Sequence, residues 1–107
     1  MNTQLVEIKE LLVKIASFLK KNDECQYSKM LEDVLLNGDN EILQFIVSNE
    51  LWGGAGSIAD QALIENSEAR KNLEALLIEL GGIQKEAGQL NVRTESWIAA
   101  FKAWRKQ

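Results

Sequence analysis

Apolar residues recur in the amino-terminal stretch at Leu5, Ile8, Leu12, Ile15 and Leu19, at intervals of 3, 4, 3 and 4 residues. That rhythm follows the turn of an α-helix and predicts one helix from about Thr3 to Lys21, with Leu11 and Phe18 widening its stripe. Asn22-Asp23 interrupts it, and Asp23 followed three residues later by Gln26 has the spacing of a capping box. A second helix is expected over about 24–36, its apolar face made of Tyr27, Met30, Leu31, Val34 and Leu35, with Asn37-Gly38 as a left-handed stop. A third starts at Asp39, carries Ile42, Leu43, Phe45 and Ile46, and ends after about ten residues near Ser48-Asn49.

Beyond a glycine-rich stretch, Ser57 with Asp60 three positions on marks a fourth helix whose small apolar face is Ile58, Ala62 and Leu63. Asn66-Ser67 caps a fifth and longer helix with a stripe of Leu73, Leu76, Leu77, Leu80, Ile83, Ala87 and Leu90. The phase continues through Gly81-Gly82, so one helix to about residue 89 is expected, with a break at the glycine pair as the competing topology. Small residues at Gly81, Gly82, Ala87 and Gly88 would let a neighbouring helix approach closely. Thr94 caps a last helix bearing Trp97, Ile98, Phe101 and Trp104.

No proline and no alternating strand-like run occur, and 107 residues suit one hydrophobic core. The expected fold is all-α: a compact bundle of five or six amphipathic helices forming a single domain over 1–107, with no sheet. No apolar run approaches the ~20 residues of a membrane helix, and the amino terminus lacks the basic-then-apolar order of a secretory signal. The one cysteine, Cys25, cannot pair within the chain, and its plainest reading is a partly buried helix residue. A cytoplasmic location is the expectation.

Histidine is absent, which removes Ser-His-Asp and Cys-His nucleophile pairs, histidine general bases and His-Cys zinc sites. Glu32 and Asp33, adjacent on a helix, diverge by about 100° and make poor co-ligands. Neither an EF-hand nor a Glu-x-x-His pair is present. No enzyme activity, metal or cofactor is expected.

The stretch Glu50-Leu51-Trp52-Gly53-Gly54-Ala55-Gly56-Ser57 raises the question of a phosphate-cradling loop. Such a loop needs a lysine after the glycines and a strand before them, and both are missing here. Consecutive amides at the start of the fourth helix could hold some other anion, but the favoured reading is a chain reversal in which Leu51 and Trp52 plug the core. Aromatics interleaved with Lys102, Arg105 and Lys106 invite a nucleic-acid or membrane-surface reading; too few cations are present, and core packing is favoured, with Trp104 partly exposed.

Charge distribution carries the most information. The net charge is only −4, yet between Lys29 and Arg70 the chain has no base and eight acids: Glu32, Asp33, Asp39, Glu41, Glu50, Asp60, Glu65 and Glu68. A solvated surface is the plain explanation of a charge run. Complete loss of bases over such a length also makes a negative field able to steer a basic partner. Glu32, Asp33, Asp39, Glu41 and Glu50 lie off the apolar stripes or in loops and are the acids expected on display, with Asp60 as a further outward contact.

Residues 50–57 followed by Ile58-Ala59-Asp60 resemble a signature of small bacterial all-helical proteins, some of which are similar to immunity proteins of contact-dependent growth inhibition systems. The resemblance covers about residues 50–63 and brings no catalytic motif. It implies a protein that binds a cognate toxin domain and blocks it. The expectation from sequence is therefore a non-enzymatic inhibitor that meets a basic toxin domain, such as a nuclease, through Glu32, Asp33, Asp39, Glu41, Glu50 and Asp60 and the loop glycines Gly53, Gly54 and Gly56. The alternative is a small structural or regulatory protein that self-associates through an apolar groove, making a homo-oligomer.

Overall fold

A computed structural model describes residues 2–54 and 56–105; Ala55 of the glycine loop and Lys106 of the basic carboxyl end lie outside them. Seven α-helices and no strand occur among the described residues: α1 (Asn2–Lys21), α2 (Cys25–Leu36), α3 (Asp39–Ile46), α4 (Asn49–Trp52), α5 (Ile58–Gln61), α6 (Ser67–Glu86) and α7 (Thr94–Arg105). α4, a single turn just before the glycines, is the one helix beyond the six read from the sequence, and the expected fourth helix, α5, is likewise a single turn. α1 packs against α2 and α6, α7 packs against α6, and α3, α4 and α5 continue from α2, each touching the next. The molecule measures 36 × 26 × 22 Å.

The stripes read from the sequence face inward. Ile8, Leu12, Ile15 and Leu19 of α1, Leu31 of α2, Ile42 and Ile46 of α3, and Leu73, Leu77 and Leu80 of α6 are all buried in one core. Ser28 is buried between α1 and α2, where its hydroxyl donates to the Ala16 carbonyl at 3.0 Å. This gives the buried hydroxyl the partner it needs where the two helices approach.

Several helix ends differ from expectation. Asp23 does not cap α2. It takes a left-handed φ of 67° and closes α1, with the Asp23 N–H donating to Lys20 O and the Glu24 N–H donating to Leu19 O. That double bond pattern is a Schellman stop made without glycine. The carboxylate of Glu24 makes no cap bond to α2 and instead accepts the Leu63 N–H from the far side of the fold at 3.2 Å. Cys25, expected to be partly buried, is exposed, because it opens α2 on the solvent side. Thr94 is the first residue of α7 rather than its cap, and its hydroxyl accepts the Asn91 N–H at 3.1 Å.

Ser57 and Asn66 do cap as the sequence indicates, accepting from the Asp60 and Ala69 amides. α6 runs unbroken through Gly81-Gly82 and ends at Glu86, three residues before the expected limit. Gly88, at φ 71°, allows the Gly88 and Gln89 amides to close back onto Lys85 and Gln84, which leaves Leu90 outside the helix. Of the small residues on α6, Gly81 is the one that matters for packing: a Cβ there would run into Ile98 of α7, whereas a Cβ on Gly82 would meet nothing.

Candidate protein-binding face

The glycine loop is built into the frame from both sides. Leu51 and Trp52 are fully buried, as the favoured reading of the loop requires. The Trp52 indole N–H donates to Gln84 Oε1 at 3.0 Å, and the Trp52 carbonyl accepts the Trp97 indole N–H at 2.9 Å. Gly53 is itself buried, with no room for a side chain beside the Asn49 carbonyl, and its carbonyl accepts the Ser57 hydroxyl at 2.7 Å. Gly54 is half-buried beside Arg93; Gly56 is exposed at φ 87°. The phenol of Tyr27 donates to the Gly56 carbonyl at 3.0 Å, tying the loop to α2. Desolvation, with the nearby carboxylates Glu24 and Asp60 adding to it, raises the Tyr27 pKa above its ordinary 10.0.

Around this loop the structure distributes the candidate acids over α2 to α5. Glu32, Asp33, Asp39, Glu41 and Glu50 are exposed, and Asp60 is half-buried and accepts from the Gln61 amide at 2.8 Å. Glu41 of α3 and Glu50 of α4 come together on the walls of a groove of about 260 Å³ whose other residues are Val34, Gln44, Phe45 and Ser48. Asp39 is bridged by Lys9 of α1 at 2.6 Å. Glu32 faces a different groove, between α1 and α2. The six acids therefore do not form one cluster: Glu41 and Glu50 share a site, Asp39 and Asp60 have partners within the chain, Glu32 lines the α1–α2 groove, and Asp33 is exposed on α2 and lines neither groove. Among the described residues, no group of three side chains of the metal-ligating types converges.

Arg70, which closes the base-free interval in the sequence, contributes no surface charge. It is 7% exposed and lies within 3.0 Å of Glu74, itself 5% exposed. Its remaining N–H groups donate to the carbonyls of Ile58, Ala59 and Ala62, so that it caps the carboxyl end of α5, and its guanidinium lies 5.5 Å from the Phe101 ring centroid. Gln84, fully buried, is the second hub: its amide donates to Ile46 O and Gln89 O, both at 2.8 Å, while its carbonyl holds Trp52.

Neither hub was singled out from the sequence, although spacing offered a signal. Arg70 and Gln84 extend the Leu73, Leu77 and Leu80 row by one step at each end, so polar residues stand at core positions and need buried partners. The aromatic stripe packs as expected, with Phe101 buried, Trp97 half-buried and stacked on it at 5.5 Å, and Trp104 48% exposed.

No helix among the described residues is long and apolar enough to cross a membrane. Comparison with protein-family models, curated proteins and solved structures finds no significant match for the chain.

Proposed function

We propose that the protein is a non-enzymatic binding protein whose acidic α2–α5 side engages a basic protein domain, and that it acts as an immunity protein neutralising a cognate toxin. The observation that carries this reading is the inward turn of Arg70. With its charge withdrawn into the core, the base-free interval extends to Lys71, and Lys9, paired with Asp39, is the one cation that ion-pairs with the candidate acids among the described residues. A field of one sign steers a partner of the other and raises its association rate.

Glu41 and Glu50 supply the centre of this face. Val34 and Phe45 line the same groove as the two acids, so a long basic side chain entering it can pack its aliphatic stem on these apolar groups while its charge meets a carboxylate. Asp33, Asp39 and Asp60, outside this groove, add to the negative field and act on approach more than on the bound state. Neutralisation follows if the domain so covered uses its basic surface to hold an anionic substrate such as a nucleic acid.

The experiment is co-purification of the chain with the product of the gene immediately upstream of its own, followed by an activity assay of that product with and without the chain. A stable complex in which the toxic activity disappears supports the reading. Absence of binding, or binding that leaves activity intact, removes it.

A further inference from the structure

In the groove between α6 and α7 we infer a second protein-binding surface, whose occupant is an amphipathic helix of a partner protein that carries carboxylates beside its aliphatic stripe. This goes beyond the acidic-face reading and does not depend on it. α6 and α7 run antiparallel: Lys85 pairs with Glu95 at 3.3 Å at one end, and Arg105 donates to the Lys71 carbonyl at 3.0 Å at the other. Between these ends lies a groove of about 270 Å³ lined by Ile78, Gly82, Ile98 and Ala99, with Lys102 on its rim. Gly82 marks the seat. Glycine in a helix interior costs about 1 kcal/mol against alanine, and a Cβ on Gly82 would meet nothing within the chain, so the packing of the fold itself does not require it. Beside it the half-buried Ile78 and Ile98 leave a recess where an aliphatic side chain can be lowered onto bare backbone, as when the apolar face of a helix is laid into a groove. A projecting side chain reaches the floor of such a recess; a flat lipid surface stays at its rim.

Charge sets the sign of the occupant. Lys102 lines the groove, Arg105 follows it by one turn, and Lys71 lies against Arg105, so three exposed cations stand at one end. Among the described residues none of the three makes an ion pair. The acids of the two helices do not offset them there. Glu95 spends its carboxylate on Lys85 at the other end, and Glu74 is buried against Arg70. Glu68 lines a separate groove with Phe18 of α1, and Glu79, turned about 100° from Ile78, lines no part of this one. A carboxylate placed one or two turns from the aliphatic anchor of a bound helix therefore meets base. The basic domain proposed for the acidic face would be repelled here, so the two surfaces take different partners.

The test is fluorescence anisotropy with two labelled helical peptides that share one leucine stripe, flanked in the first by glutamates and in the second by lysines at the same positions. The parent chain should bind the glutamate peptide at least about tenfold more tightly than the lysine peptide. Gly82→Leu fills the seat and should weaken that binding at least about tenfold, while its thermal midpoint stays at or above the parent's because leucine is the better helix former. Lys102→Glu should weaken it likewise, and Val13→Ser, exposed on α1, should leave it unchanged. No binding of the glutamate peptide, equal binding of both peptides, or full affinity in Gly82→Leu overturns the inference. So does preference for phosphatidylglycerol vesicles over the peptide, or a dimer of the chain that Gly82→Leu dissociates in sedimentation, the occupant then being lipid or a second copy. None of these readouts involves the upstream gene product, so the toxin-binding reading stands or falls separately.

Discussion

The indole N–H of Trp52 donates to the side-chain carbonyl of Gln84 at 3.0 Å inside the core, joining the glycine loop to the middle of the molecule across 32 residues of sequence. Gln84 spends its amide on two further carbonyls, so every polar atom of this site has a partner. Replacing it with leucine strands the Trp52 N–H and the Ile46 and Gln89 carbonyls. A buried polar group left unpaired costs about 1–3 kcal/mol. Urea denaturation of Gln84→Leu should show a midpoint loss equivalent to about 2 kcal/mol or more at unchanged slope. A variant as stable as the parent would mean that the hub contributes little.

Arg70 makes a stronger prediction. Its removal leaves Glu74 buried without a countercharge and takes the guanidinium donors from the Ala59 and Ala62 carbonyls, and breaking a buried pair in this way costs about 3–5 kcal/mol. Arg70→Met should therefore lie near the limit of folding. The double change Arg70→Met with Glu74→Leu should recover part of the loss, because no uncompensated charge remains. Thermal unfolding monitored by circular dichroism separates the two, and equal destabilisation of the single and double variants would count against the ion pair as the cause.

The neighbouring glycines of α6 should respond differently to alanine. At Gly82 a methyl group meets nothing, and Gly→Ala in a helix interior gains about 0.5–1 kcal/mol. At Gly81 the same methyl must displace Ile98 of α7, and the strain offsets the gain in helix propensity. Denaturation midpoints should place Gly82→Ala above the parent chain and Gly81→Ala below Gly82→Ala. The reverse order would show that α7 does not approach α6 at Gly81.

Tyr27 is the single tyrosine, so alkaline titration of tyrosinate absorbance reports on it alone. Burial, with Glu24 and Asp60 adding to it, raises its pKa above 10.0 in the folded chain. The folded state then holds the phenol proton more tightly than the unfolded state does. This contribution to stability is present in full below pH 10 and is lost as pH rises through the folded value. The native chain should titrate at higher pH than the same chain in urea, and Glu24→Gln should bring the two curves closer together. Coincident curves would mean that the phenol is not held against Gly56.

Much of the fold was legible because most of it follows from apolar spacing. The stripes of α1 and α6, the caps at Ser57 and Asn66, the burial of Trp52 and the partial exposure of Trp104 all answer to local pattern. What escaped was decided by partners distant in sequence. Glu24 looks like part of a helix start, but its carboxylate is used on Leu63, and Asp23 accepts a left-handed backbone that its identity permits without announcing. Arg70 reads as a surface cation until α5 folds back over it. At the candidate face, the exposure of the acids could be foreseen from their places off the stripes. The meeting of Glu41 and Glu50 around Val34 and Phe45 could not, because it depends on the single turn α4 that the glycines follow.

The acidic face is tested most directly by its association rate with the upstream gene product, measured by stopped flow at rising ionic strength for the parent chain and for Glu41→Lys with Glu50→Lys. Both residues are exposed, so the double change leaves the core alone. Steering by a field of opposite sign is worth about 10–10³-fold in rate and falls steeply with salt. The account predicts a parent rate that drops sharply as salt is added and a double variant at least about tenfold slower at low salt, with a much flatter dependence. A complex whose association rate ignores salt, or one that the double charge reversal leaves unchanged, would contradict it.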